Sequence, residues 1–337
     1  MRKVTMKRFG ILLSVLMLAL TTAAAPAAPK TEAPKKDVPR TAKAGSFLRL
    51  DYYVWSRWEK LGGPNKEQIK DLDVAVFFSP LKPDAQGHLA VSDEFVRALE
   101  NLKAAKNEKT RIWLGLGSLA DIAKDESALA TFITELRALC DKLGFSGVDI
   151  DWEDAGTPPE EYARVVKRIA DDCHSRKRMV SNSHATAPVY VKKTAACVAH
   201  LDYVNIQCYY STNNGMTVET LSTRLARFEK AGVPRGKILI GLPVYGMVDM
   251  NKDRGVRRTT IGYRSLLEKG ADPSASQWTD PETSVAYHYS GSALIKAKLD
   301  YAKSQGYAGV FTWEMTLDAP YSSPHSILRI LGEGTKK

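Results

Sequence analysis

The feature that most constrains this chain is a rhythm. From Phe47 onward, short runs rich in β-branched and aromatic residues alternate with longer amphipathic stretches, the pattern of repeated βα units building a parallel sheet. Eight runs read as strands: residues 47–54, 73–79, 111–116, 147–152, 179–182, 203–209, 238–243 and 309–313. Between them, residues 93–102, 127–143, 159–175, 218–231 and 292–305 carry helical spacing. Eight strands spread over roughly 290 residues predict an α/β fold closed into a (β/α)8 TIM barrel. An open doubly wound sheet is the structural alternative.

The rhythm breaks once. Between Tyr245 and Ser292 there are too many residues for one helix, and alternating apolar and aromatic positions around Trp278 and Tyr287 read as short strands. A small α+β insertion over 247–290, after the seventh strand and on the catalytic face, is expected there. A long irregular loop is the alternative.

Charge and composition narrow the function classes. With 44% hydrophobic and 26% charged residues, the chain is neither disordered nor collagen-like. The formal charge of +10 is concentrated at the start, where residues 1–44 hold nine Lys and Arg against two Asp and Glu. That segment carries +7, so +3 remains for the rest. A dedicated nucleic-acid domain would carry a basic stripe through its fold, so nucleic acid is not expected as a partner.

The same segment reads as a targeting sequence. A basic stretch through Arg8 precedes an apolar run over 9–20 and then small residues up to Pro26, as in a secretion signal over residues 1–25. The run of about 12 apolar residues is short against the roughly 20 needed to cross a bilayer, so no membrane span is expected after cleavage. Residues 26–44, rich in Ala, Pro and Lys, read as a linker to a barrel over 45–337. A secreted or periplasmic protein, monomeric in solution, is the expectation.

Export bears on Cys140, Cys173, Cys197 and Cys208, since disulfides persist outside the cytosol. Four cysteines allow three pairings, and sequence does not choose among them. The six histidines are scattered and no Cys-x-x-Cys occurs, so no metal and no cofactor is expected.

The most informative string is Gly144-Phe-Ser-Gly-Val-Asp-Ile-Asp-Trp-Glu-Asp154. Side chains alternate across a strand, so Asp149, Asp151 and Glu153 share one face while Ile150 and Trp152 point the other way. A barrel strand has no solvated face, since one side meets the interior and the other the helices. Three acids there are desolvated and repel one another, so at least one proton is retained near neutral pH. Glu153, nearest the open C-terminal rim, is the natural general acid.

This string resembles the Asp-x-x-Asp-x-Asp-x-Glu signature of glycoside hydrolase family 18, the chitinases and related β-N-acetylglucosaminidases, with Ser146 in the first acidic position. Further segments agree in order. Asp51-Tyr52-Tyr53 with Trp55 is similar to the family's first strand, and 111–118 to its glycine-bearing third. Gln207-Cys-Tyr209 resembles the sixth, 239–246 the seventh, and Trp313-Glu314 the end of the eighth.

The resemblance implies retaining, substrate-assisted catalysis, in which the substrate's 2-acetamido carbonyl attacks the anomeric carbon. It implies that Glu153 acts as acid and then base, that Asp151 orients the acetamide, and that Asp149 shares a proton with Asp151. It further implies that Tyr209 hydrogen-bonds the acetamide oxygen, that Gln207 lines the pocket, that Trp313 floors the sugar, and that Tyr52 and Tyr245 add walls. Asp154 and Glu314, on the opposite strand faces, read as structural or rim residues.

The chain departs from the family at three places. Ser146 removes an acid from the base of the stack and is expected to weaken proton sharing with Asp149. Tyr210, counted among the substrate-binding residues, stands where many members have Asp. Gly117-Ser118 replaces a glycine pair. The expected partner is an N-acetylglucosamine-containing polysaccharide or oligosaccharide: chitin, chitooligosaccharides or peptidoglycan glycan. A non-catalytic sugar-binding lectin on the same barrel is the competing function.

Overall fold

The computed structural model describes residues 47–61, 63–209, 217–248 and 259–335. The expected signal and linker, Tyr210 and part of the insertion therefore lie outside the described residues. Eight parallel strands close a barrel: β1 (Leu48–Val54), β2 (Val74–Leu81), β3 (Arg111–Leu116), β4 (Gly147–Ile150), β5 (Met179–Ala185), β6 (Tyr203–Gln207), β7 (Ile238–Pro243) and, after the insertion, β12 (Gly309–Trp313). Their order around the barrel is β1-β12-β7-β6-β5-β4-β3-β2. The (β/α)8 expectation holds, and the open sheet is excluded because β1 pairs with both β2 and β12.

The helices start and stop where local chemistry dictates. Ser92, Asp125 and Thr217 each accept a hydrogen bond from a backbone N–H of the first turn of the helices Asp93–Ala105, Glu126–Leu143 and Val218–Lys230. Gly144 ends the second of these in the left-handed region, with φ of 73°, which a residue without Cβ adopts at little cost. The apolar helix faces pack on the outward strand residues in one large cluster that includes Phe77, Leu114, Ile150 and Phe132. A second, smaller cluster fills the barrel interior, with Leu50, Val76, Trp113, Leu239 and Phe311. Trp113 lies so close to β4 that a Cβ at Gly147 would sit 2.6 Å from its indole nitrogen.

Four strand ends differ from the sequence expectation, the first being β2, which runs on from residue 79 to Leu81. β4 stops at Ile150, so Asp151 and Glu153 lie just beyond it; the Asp151 N–H still bonds the Leu116 carbonyl, 2.9 Å, which carries the extended direction onward. β6 stops at Gln207, leaving Tyr209 in the following loop. β5 continues past Asn182 to Ala185 because Ser183 and Ala185 keep pairing with Asn205 and Gln207.

Between β7 and β12 a second sheet forms. Its strands are β8 (Tyr245–Val248), β9 (Thr260–Gly262), β10 (Gln277–Thr279) and β11 (Ala286–His288), in the antiparallel order β10-β11-β8-β9. With the helix Tyr263–Glu268 it makes the α+β insertion expected after strand seven. The Val244 N–H bonds the Trp313 carbonyl and the Tyr263 N–H bonds the Val244 carbonyl, which ties the insertion to the barrel rim. Among the described residues, no helix is long and apolar enough to cross a membrane.

On the outer face of β1, Arg49 and Asp51 form an ion pair at 3.1 Å with neither side chain reaching solvent. Asp51 also accepts from the Thr312 N–H and hydroxyl on β12, so the pair helps hold the seam where the barrel closes. Removing the arginine strands a buried carboxylate. Arg49→Ala should lower unfolding free energy by about 3–5 kcal/mol, read from urea denaturation with an unchanged slope.

Candidate active site

At the C-terminal ends of the barrel strands lies an open cleft of about 1020 Å³. Its floor and walls are built by residues from several strands. Asp149, deepest on β4, is fully buried and takes three donors: the Tyr52 hydroxyl at 2.7 Å, the Ser181 hydroxyl at 2.5 Å and the Asn205 side-chain amide at 2.9 Å. These come from β1, β5 and β6. Burial pushes the Asp149 carboxyl up to about 6, against the opposing pull of the three donors.

One step up, Asp151 accepts from the Gln207 amide at 3.4 Å, and that amide also donates to the Ser183 hydroxyl at 3.2 Å. Burial first, and then repulsion from Glu153 and Asp149, raises Asp151 well above the ordinary carboxylate range. Glu153, higher still, is the most open of the three, yet the cleft shields its carboxyl enough to raise its pKa. Hydrogen bonds from Gln207 and the Ala185 N–H oppose that rise. Such a stack retains protons near neutrality.

The loop carrying Glu153 is held from behind. The Tyr190 hydroxyl donates to the Glu153 carbonyl at 2.6 Å, and the Lys193 ammonium donates to the Asp154 carbonyl. Asp154 itself caps the turn by accepting from the Gly156 and Thr157 N–H groups, each at 2.8 Å. Trp152, on the other face, is buried 4.9 Å from the Tyr162 ring, as strand alternation requires.

Aromatic rings make the remaining walls. Trp313, ending β12, meets Tyr52 edge-on at 5.4 Å and Phe78 at 5.2 Å. Tyr209 stands 6.1 Å from Tyr245 and also contacts Phe311. Burial keeps the Tyr52 and Tyr209 hydroxyls protonated, hence as donors.

The cleft therefore brings together Asp151, Glu153, Gln207, Tyr209, Tyr245 and Trp313, with Tyr52 beside them and Asp149 beneath. Two details differ from what the resemblance implied. Asp149 draws its three hydrogen bonds from other strands, and none of them joins it to Asp151. The Ser146 hydroxyl donates to the Ile112 carbonyl at 3.2 Å and does not touch Asp149, since an odd spacing places the two on opposite faces.

Several site residues escaped the sequence reading. Ser181, Ser183 and Asn205 are buried, inward-pointing polar residues on β5 and β6, and the period-two spacing of 181 with 183 and 205 with 207 was the available signal. Arg57, Arg264 and Thr316 also line the cleft, and nothing in their spacing announced it. All four cysteines are buried and unpaired, with burial pushing each thiol up to about 12. Among the described residues no group of three His, Cys, Asp or Glu is arranged to hold a metal ion.

A closed parallel barrel whose fourth strand delivers stacked carboxylates to an aromatic-walled cleft is a glycosidase-type barrel. The chain belongs to the glycosyl hydrolases family 18, whose family model matches residues 20–318. Nod factor hydrolase protein 1 of Medicago truncatula is 24% identical over 254 residues, covering 59% of this chain and 65% of that protein. The chain spans 42–65% of the length of the first curated relatives it matches. In fold it is similar to a family 18 chitinase from the chitin utilization locus of Flavobacterium johnsoniae, with a TM-score of 0.72 at 18% identity, over 86% of this chain and 94% of that one. It is likewise similar to a chitinase-like agglutinin from Robinia pseudoacacia, with a TM-score of 0.67 at 17% identity, over 85% and 99%.

The raised pKa of Asp149 has a consequence for stability. A carboxyl that ionises near 6 when folded, against 3.8 when unfolded, binds its proton more tightly in the folded state. Its stabilising contribution is complete below about pH 4 and is lost as pH rises through about 6. Relative to Asp149→Asn, the native protein should lose on the order of 3 kcal/mol between pH 4 and pH 7, measured by urea denaturation across that range. Parallel curves for the two proteins would contradict this.

Proposed function

We propose that the protein is an exported glycoside hydrolase that cleaves β-1,4 linkages next to N-acetylglucosamine, with retention and with the substrate's acetamido group as nucleophile. Chitin, chitooligosaccharides and peptidoglycan glycan all meet the acetamide requirement. The observation that carries the reading is the ascent of Asp149, Asp151 and Glu153 into an open aromatic-lined cleft, with Glu153 uppermost. The basic and apolar succession over residues 1–25 supports export.

A sugar resting on Trp313 presents its glycosidic oxygen to Glu153. Glu153, its pKa raised by burial, transfers its proton to that oxygen as the bond to the anomeric carbon breaks. The acetamido carbonyl oxygen bonds the anomeric carbon in the same step, giving an oxazolinium ion. Asp151 accepts the acetamide N–H and faces the developing positive charge, and the Tyr209 hydroxyl donates to the acetamide oxygen. Water then attacks the anomeric carbon, yielding its proton to the Glu153 carboxylate, and the bond to the acetamide oxygen breaks.

The three donors on Asp149 suit an ionised carboxylate, which receives hydrogen bonds and has none to give. The proton to be transferred then resides on Glu153, and Asp151 meets the acetamide N–H as an acceptor. Asp149 acts through this fixed charge on Asp151.

The competing reading is a sugar-binding protein without turnover. Release of product from labelled chitooligosaccharides or glycan strands separates the two. Glu153→Gln should lower kcat by about 10²-fold to 10⁴-fold while sugar affinity is kept, because the amide preserves shape and loses the transferable proton. Native protein that binds these sugars and releases nothing would establish the lectin instead.

A further inference from the structure

We propose that the cleft selects acetamido glycans bearing a carboxylate on a sugar adjoining the cleaved bond, as in the lactyl ether of muramic residues, through the guanidinium groups of Arg57 and Arg264. This selectivity rests on the hydrolase reading above and names its substrate class.

The two arginines reach the same cleft from different elements. Arg57 stands on the helix Trp55–Lys60 that follows β1, and Arg264 on the insertion helix Tyr263–Glu268. One nitrogen of Arg57 donates to Glu314 at 2.7 Å, and its side chain stays 48% exposed. Glu314 is fully buried and also accepts from the N–H and the hydroxyl of Thr316. Glu314 thus anchors the guanidinium at one edge, and among the described residues Arg57 has no second hydrogen-bond partner. Arg264 donates through Nε to the Asp318 carbonyl at 2.9 Å. A neutral carbonyl orients the fork and cancels none of its charge.

Among the described residues no carboxylate pairs with Arg264, so the cleft holds one guanidinium matched by a buried acid and one unmatched. A neutral polysaccharide offers only hydroxyl and amide oxygens to such a group. A carboxylate offers two oxygens spaced for the planar fork, and their hydrogen bonds are about twice as strong as neutral ones. Ser265 and Thr316 also line the cleft. A cleft of about 1020 Å³ has room for a sugar beside the one being cleaved. Burial raises the proton affinity of Glu153, the most open of the three acids, which limits its repulsion of a bound carboxylate.

The test uses the full chain and glycan strands of alternating N-acetylglucosamine and muramic residues freed of peptide, so that the lactyl carboxylates are unblocked. The comparison substrate is the same strand after chemical reduction of those carboxylates to alcohols. Native protein should show a kcat/KM about tenfold higher on the carboxylated strand, with the preference shrinking as salt rises from 0.05 to 0.5 M. Arg264→Gln should bring the ratio to within about twofold of one. Calorimetric titration of Glu153→Gln with both strands reads the same ratio as affinity, without turnover. Equal rates on the two strands, equal affinities, or a preference that Arg264→Gln leaves intact would overturn the inference. Absence of turnover on every glycan, chitooligosaccharides included, counts against the hydrolase reading, and the calorimetric ratio still decides the carboxylate preference.

Discussion

Placing carboxylates on the inward face of a closed barrel is the constraint on which the site depends. Each acid removed from water must recover hydrogen bonds or give up its charge. The chain resolves this differently at each height of the fourth strand. At the bottom, Asp149 receives three donors from three other strands. In the middle, Asp151 has one long contact from Gln207 and two acidic neighbours, and its proton affinity rises furthest. At the top, Glu153 meets the cleft. The strand and its extended continuation thereby set three acids in three different surroundings over five residues.

The rim of the barrel supplies what the strand cannot. The loop behind Glu153 is tied by Tyr190 and Lys193, both on the helix Pro188–Cys197, so the acid is braced by a helix outside the barrel. Opposite it, Trp313 closes the last strand and Tyr245 opens the insertion, which is joined to the rim through Val244. Glu314, adjacent to Trp313, is buried against Thr316 and Arg57, which fixes the backbone beside that ring.

Much of this was legible in the sequence, because period and spacing are local properties. Eight strand starts follow from β-branched and aromatic runs, and the shared face of 149, 151 and 153 follows from alternation alone. What escaped depends on contacts between distant residues. The ends of β4 and β6 were placed too late, since the apolar pattern runs on past the last ladder pair, and β5 too early, since Ser183 and His184 look like a turn until β6 pairs with them. Ser146 was assigned to the acidic stack by likeness to a signature, although its odd spacing from Asp149 already put it on the other face. Arg57 and Arg264 sit on short helices with no pattern of their own, and only the folded rim brings them together.

The hydroxyl of Tyr52 links the first strand to an aspartate 97 positions later, which Asn205, a further 56 along, also grips. A chain holding the acidic string but lacking β1 or β6 would leave that aspartate short of its donors. The setting of Asp149 therefore forms only once β1 and β6 have come together around it.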